Sequence, residues 1–432
     1  MTQRVYLHVG APKSGTTYLQ QILRTNRDRL EAAGVLVAGE SHVELVHAAM
    51  VVRDDARLER LPARARGSWS RVVDQVRGWS GDSAVVSYEL FAGASADQVR
   101  AALADLDGLE IHVVITARDF GRSVASAWQE RLKFALTTPL EKWVPRPETA
   151  VRSEWGWRTM DPSGVAARWG ADLAPERVHV VTAPREASST ELWHRFAEAC
   201  GLSEVVVEFP DYRANTSLGV AAAELLRRVN EYADAPLDTN REQARWLRDL
   251  LAHDILAPLD DEPIGITESQ YADATKRAEA CRDAVTKAGY AVHGDLADLI
   301  PASSEARTPA QVEDSELVDV AVRALLRLVL RVREDTNAQR AAAAPAAPQP
   351  PSSLRAKGKN IVSGTLGRRV LAENQRLQRR LDAVEAQLAE SRALQSRLAM
   401  VTDLVTELLV PPRTRNDATI ERALRSYRQE TL

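Results

Sequence analysis

Cysteine is scarce: the 432-residue chain has two, Cys200 and Cys281. Two cysteines exclude a disulfide framework and a zinc ribbon. They fit a reducing compartment, with both thiols serving as buried small apolar side chains. No window holds the ~18 consecutive apolar residues of a membrane span. The opening stretch MTQRVYLHVGAPKSG lacks the apolar core of a secretory signal. The expectation is a soluble, cytoplasmic protein. No cluster of metal-ligating residues at ligand spacing stands out, so no metal is required by the pattern. At 45% hydrophobic and 27% charged, the composition is globular and excludes a wholly disordered chain. The length predicts two or three domains.

The net charge of −4 conceals an asymmetry. From Ser352 onward there are 15 Lys and Arg against 9 Asp and Glu, whereas the rest holds 41 against 51. An acidic globular part argues against nucleic acid as a partner, while the tail is basic. The first 200 residues alternate short apolar runs with helical patterns. Strands are expected at Val5–Val9, Val85–Tyr88, Ile111–Thr116 and Val178–Thr182. Helices are expected after Gly15 and over Asp97–Leu106, Gly121–Leu136 and Thr190–Cys200. Strands separated by helices imply an α/β fold with a central parallel sheet covered on both faces.

This α/β domain is expected over residues 1–300, becoming helical from about 218, with a helical extension over 301–337. Residues 338–365 begin AQRAAAAPAAPQPPSS, which reads as an Ala/Pro-rich linker. A heptad pattern predicts a coiled coil over 366–410, followed by a tail over 411–432. With Asn374 at an a position, the a/d series includes Leu377, Leu381, Val384, Leu388 and Leu398. Dimerisation through 370–398 follows as an expectation, the alternative being one amphipathic helix packed on its own chain. The stretch 355–380 carries eight Arg and Lys against Glu373 alone. It is the candidate for a weak contact with an anionic membrane surface or an acidic partner, unless it is simply a solvated helix face.

The chemistry concentrates in His8-Val-Gly-Ala-Pro-Lys13-Ser14-Gly15-Thr16-Thr17. A strand, a Gly/Pro turn and a helix start aim free amides and a positive helix end at an anion. Lys13 adds charge; Ser14, Thr16 and Thr17 add hydroxyls. Gly10 and Gly15 have the spacing of a Walker loop, but Thr16 stands where that loop needs lysine. No acidic residue after an apolar strand offers a magnesium partner.

The order P-K-S-G-T-T resembles the 5′-phosphosulfate loop of sulfotransferases that use 3′-phosphoadenosine 5′-phosphosulfate (PAPS) as donor. A second stretch, V-V-I-T-A-Arg118-D-F-G-R-S-V-A-Ser126, resembles the 3′-phosphate signature of that family, with an arginine after a strand and a serine eight residues on. Phe120 replaces the proline often found there. The resemblance implies donor-binding roles for Lys13, Ser14, Gly15, Thr16, Thr17, Arg118 and Ser126, with Lys13 also catalytic. It covers about residues 1–230 and points to the bacterial and carbohydrate-directed branch. A later segment, Tyr212-Arg213-Ala-Asn215-Thr-Ser217, resembles a loop that closes over the donor in that branch, which implicates Arg213; an ordinary helix cap is the alternative.

Sulfuryl transfer needs a base at the acceptor. The strand Val85–Tyr88 delivers Glu89 at its carboxyl end, where ligands sit in open α/β sheets. By resemblance Glu89 is the base of a carbohydrate-directed enzyme. His8 competes for that role, unless it is a satisfied core histidine. The acceptor is expected to be a hydroxyl or amine of a carbohydrate, glycolipid or small metabolite. Its pocket should lie on loops 38–80 and 137–165, where Trp143, Trp155 and Trp157 could stack on a sugar ring. Two alternatives from other classes are a non-catalytic nucleotide-binding scaffold assembling through its coiled coil, and a P-loop small-molecule kinase.

Overall fold

The computed structural model describes residues 4–150, 154–185, 189–210, 217–233, 237–259, 262–302 and 306–343. The expected coiled coil, the basic stretch 355–380, Arg213 and most of the expected linker lie outside them. By its internal contacts the chain divides into residues 1–328 and 329–432.

The first unit is built on six parallel strands: β1 (Arg4–Gly10), β2 (Val35–Val37), β3 (Ser83–Ser87), β4 (Glu110–Ala117), β5 (Val178–Thr182) and β6 (Ala291–His293), in the order β2-β3-β1-β4-β5-β6. The four expected strands are present: β5 has the expected bounds, β1 and β4 are slightly longer and β3 is shifted. The two unexpected ones, β2 and β6, are three-residue edge strands, too short to show a period. Helices used below are α1 (Thr16–Thr25), α2 (His42–Val52), α3 (Ser68–Gly78), α4 (Ala96–Ala104), α5 (Phe120–Leu132), α6 (Ser189–Ala199), α7 (Val220–Asn230), α8 (Glu268–Ala288) and α9 (Asp314–Ala343).

Strand alternation sorts the core into two faces. Tyr6, Val85, Val114 and Val181 meet Leu19, Ile22 and Leu23 of α1 and Phe196 of α6. Val5, Leu7, Val9, Val86 and Ile115 meet α2, α3 and α4 on the other side. Leu19 and Ile22 are wholly buried, each worth about 2 kcal/mol by area. A third cluster joins Phe120, Val124 and Trp128 of α5 to Leu226 of α7, Val285 of α8 and Val320 of α9.

Both cysteines are free and buried, as expected. Helix α9 runs to Ala343, so the first six residues of the expected linker are helical. In the second unit the described residues are the last turns of α9, where Val329 and Leu330 are exposed. Among the described residues, no helix is long and apolar enough to cross a membrane.

Candidate active site

In sequence order β1 is followed by strands on one side of it and β4 by strands on the other, so the order of strand addition reverses between them. Ligands of open α/β sheets bind at such a switch point, outside the carboxyl ends of the strands. The loop after β1 turns through left-handed conformations at Gly10, Lys13 and Gly15, with φ of 118°, 64° and 92°. Gly10 is required twice over: its φ is positive, and a Cβ there would lie 2.9 Å from the Glu89 carbonyl oxygen. At Gly15 a Cβ would meet Leu192 at 2.4 Å.

Four polar groups pin this loop to the sheet. The Ala11 amide donates to the Thr116 carbonyl at 2.6 Å. The Ser14 hydroxyl lies 2.5 Å from both the Ala11 carbonyl and Thr116 Oγ1. His8 continues the relay, with Nε2 3.1 Å from Thr116 Oγ1 and Nδ1 2.7 Å from Ser87 Oγ. Alternation puts His8, Ser87 and Thr116 on one sheet face. His8 has no exposed surface, and burial drives its pKa down to about 3. Both ring nitrogens are engaged, so the geometry is that of a satisfied core histidine supporting the loop.

A cavity of about 160 Å³ opens at the ends of β1, β4 and β5, room for about five waters at liquid volume. Lys13, Arg118, Arg122 and Arg185 line it, with Asp119 as the one carboxylate among the described residues. Arg118 donates to the Lys13 carbonyl at 2.7 Å, and burial lowers its pKa to about 10, leaving it charged at neutral pH. Asp119 is occupied as the cap of α5, accepting from the Arg122 amide at 2.9 Å and from the Ala302 amide at 3.3 Å. Arg185 donates to the carbonyls of Ala297 and Ile300, while its buried Nε has no partner among the described residues. An anion is the ligand that four cations and an orphaned guanidinium nitrogen fit. In the first turn of α1 the Tyr18 and Leu19 amides donate to the Gly15 carbonyl at 3.1 and 3.2 Å, the Thr16 and Thr17 amides have no acceptor within the helix, and no side chain caps it.

Lys13 Nζ reaches Glu130 Oε1 at 2.9 Å, and Lys133 reaches the same oxygen at 2.7 Å. Burial alone would raise the Glu130 pKa, but the two lysines outweigh it and hold the carboxyl at about 2. Arg122, Ser126 and Glu130 follow at four-residue spacing along one face of α5. Glu89 opens the turn Glu89–Gly93 beyond β3 and accepts from Gln20 Nε2 at 2.8 Å. Its backbone packs on Gly10, which brings it beside the loop.

Of the expected donor residues, Lys13, Ser14, Gly15 and Arg118 line the cavity. Thr16, Thr17 and Ser126 do not. Thr16 is buried at the start of α1, Thr17 is exposed on its second residue, and Ser126 lies farther along α5. Phe120, at the position of the missing proline, is core: it stacks on Trp157 at 5.6 Å. Arg122 and Arg185 went unread in the sequence. A signal was there, since β4 ends Thr-Ala-Arg118 and β5 ends Thr-Ala-Pro-Arg185. Among the described residues, no group of three or more His, Cys, Asp or Glu could hold a metal.

A second cavity, of about 600 Å³, opens among the loops expected to carry an acceptor. Arg53 and Arg57 come from the first loop region, and Trp143, Arg146 and Trp155 from the second. Trp157 is buried and takes no part.

Residues 377–431 match the family model described as a domain of unknown function, DUF6752. No curated protein matches the chain. Two solved structures are similar to it. One is titled the sulfotransferase domain from the curacin biosynthetic pathway, with 13% identity, a TM-score of 0.28, and coverage of 47% of this chain and 75% of that one. The other is titled a sulfotransferase from Alicyclobacillus acidocaldarius, with 17% identity, a TM-score of 0.32, and coverage of 58% of this chain and 98% of that one.

Proposed function

We propose that the chain is a sulfotransferase that takes PAPS as donor and a hydroxyl of a carbohydrate, glycolipid or small metabolite as acceptor. The observation that carries this reading is the cavity at the ends of β1, β4 and β5, where Lys13, Arg118, Arg122 and Arg185 converge and where, among the described residues, the single carboxylate is already used as a helix cap. The residues fit a donor with two phosphate groups. Lys13 and the amides of Gly15 and α1 would hold the 5′ phosphate, and Arg118, Arg122 and Arg185 the 3′ phosphate. The lysine position in the loop, unlike a Walker loop, supports this over a kinase.

When bound, the donor supplies a sulfuryl group whose S–O bond to the 5′ phosphate breaks as the acceptor oxygen bonds to sulfur. Glu89 takes the acceptor's proton. Lys13 and the N-terminal amides of α1 balance the charge that develops on the phosphate. Glu130, kept ionised by two lysines, holds Lys13 ready at the rim without neutralising both cations. His8 is assigned the support of the loop rather than proton transfer. Ser126, on the same face of α5 as Arg122, would need the donor to reach along the helix. Arg213 is retained as a donor-loop candidate and the segment 370–398 as a dimer contact.

The test is release of 3′-phosphoadenosine 5′-phosphate from PAPS in the presence of a saccharide mixture. Lys13→Ala and Arg118→Ala should each abolish it. Unchanged release in both variants would overturn the proposal.

A further inference from the structure

The larger cavity, about 600 Å³ in volume, is within the size range of small-molecule sites. Two of its elements also carry residues that pack around the donor loop. Arg131 follows Glu130, the carboxylate that holds Lys13, and Gly93 ends the turn that Glu89 begins. Its charges pair off incompletely. Asp55 is taken by Arg57 at 2.6 Å. Glu154 is shared by Arg57 and by Arg53, the latter at 3.4 Å. Asp54 is exposed. Arg131 and Arg146 remain, and among the described residues neither guanidinium has a hydrogen-bond or ion-pair partner. Both line the same cavity, and after burial the Arg146 charge is the next influence lowering the Arg131 pKa, with Glu154 opposing it. Two like charges beside one partly buried cavity are stable together when an anion sits between them. Trp143, Trp155 and Phe134 supply flat apolar walls, and Gln98, Asn240 and Gln243 supply amide donors and acceptors.

From this arrangement we infer that the larger cavity is the acceptor site, and that the acceptor is an acidic polyol: a hydroxylated ring bearing a carboxylate or phosphate. Its acid group is gripped by Arg131 and Arg146, its ring lies against Trp143 and Trp155, and its reacting hydroxyl points toward Glu89 and Lys13. The inference rests on the sulfotransferase reading for the identity of the reaction, and on the cavity alone for the chemistry of the ligand.

The experiment is calorimetry on the full chain with four probes: 3′-phosphoadenosine 5′-phosphate, a glucuronate-containing disaccharide, glucose 6-phosphate, and neutral cellobiose. The saccharides are titrated with and without the bisphosphate. At least one acidic probe should bind tenfold or more tightly than cellobiose, and which one does separates a carboxylate from a phosphate ligand. Arg146→Glu should weaken that binding tenfold or more and leave bisphosphate affinity within twofold. Arg146 is exposed, so its replacement leaves the fold intact, and Arg131→Gln provides the second variant. Equal binding of cellobiose, no binding of either acidic probe, or indifference to Arg146→Glu would overturn the inference. Acid binding without bisphosphate binding would overturn the sulfotransferase reading while the anion cavity stood.

Discussion

The two cavities are built in opposite ways. The smaller one sits on three strand ends, and two of its cations are set by backbone: Arg118 is tied to the Lys13 carbonyl, and Arg185 to the carbonyls of Ala297 and Ile300. The larger one is assembled from a loop at 53–57, the end of α5, the segment 143–155 and residues 240–243. Two of its arginines, Arg53 and Arg57, lean on carboxylates that are themselves side chains. A site fixed by a sheet offers one charge pattern and suits an invariant ligand such as a nucleotide donor. A site walled by loops can vary its chemistry without disturbing the sheet, and suits the partner that differs between enzymes.

The sharpest way to break this division of labour is at Glu89, which opens the turn beyond β3 beside the Gly10 loop. Glu89→Gln should lower turnover about 100-fold or more, the usual worth of a positioned base, while bisphosphate binding measured by calorimetry is kept. Full turnover would remove Glu89 from the chemistry. Next is Arg118→Ala, which should weaken bisphosphate binding roughly 30- to 150-fold, from about 2–3 kcal/mol of charge-assisted hydrogen bonding. Acidic-saccharide binding should be untouched; a loss in both would mean that the cavities are one site. Arg185→Ala should cost about tenfold, about 1.4 kcal/mol, because its Nη2 is already spent on two protein carbonyls.

The smallest effect on ligand binding is expected in the frame beneath the donor cavity, where the readout is stability, since among the described residues no histidine lines the larger cavity. His8 has a folded pKa of about 3 against an ordinary 6.5. The unfolded chain therefore binds the extra proton between those values. The contribution of His8 is complete above pH 6.5 and is lost as pH falls toward 3, at up to ~1.4 kcal/mol per pH unit. Urea midpoints followed across that window should fall less steeply in His8→Gln than in the wild type. Parallel slopes would mean that the histidine is not held neutral under the loop.

What could be read from the chain follows the same division. Lys13, Gly15 and Arg118 were legible because strand, turn and helix start are adjacent in sequence, and because their spacing encodes the geometry. Glu89 was legible because β3 ends there. Arg122 and Arg185 were not, since a lone arginine after a strand looks like any surface residue until β4 and β5 are known to be neighbours. The reading of Thr16, Thr17 and Ser126 as donor ligands followed the motif rather than the cavity: helix α1 buries Thr16 and turns Thr17 outward, and Ser126 falls a full turn past Arg122. Edge strands β2 and β6 were missed because three residues carry no period. The aromatic wall of the larger cavity was anticipated through Trp143 and Trp155. Its unpaired arginines were not, because pairing depends on Asp55 and Glu154, which are about 100 residues apart in sequence.

The most direct test of the central claim is calorimetry of the wild type and Arg118→Ala with 3′-phosphoadenosine 5′-phosphate, set against ATP with magnesium. Tight binding of the bisphosphate, lost in the variant and unmatched by ATP, is the predicted result. Preference for ATP, or no binding of either nucleotide, would contradict the assignment of the cavity at β1, β4 and β5 as a sulfuryl-donor site.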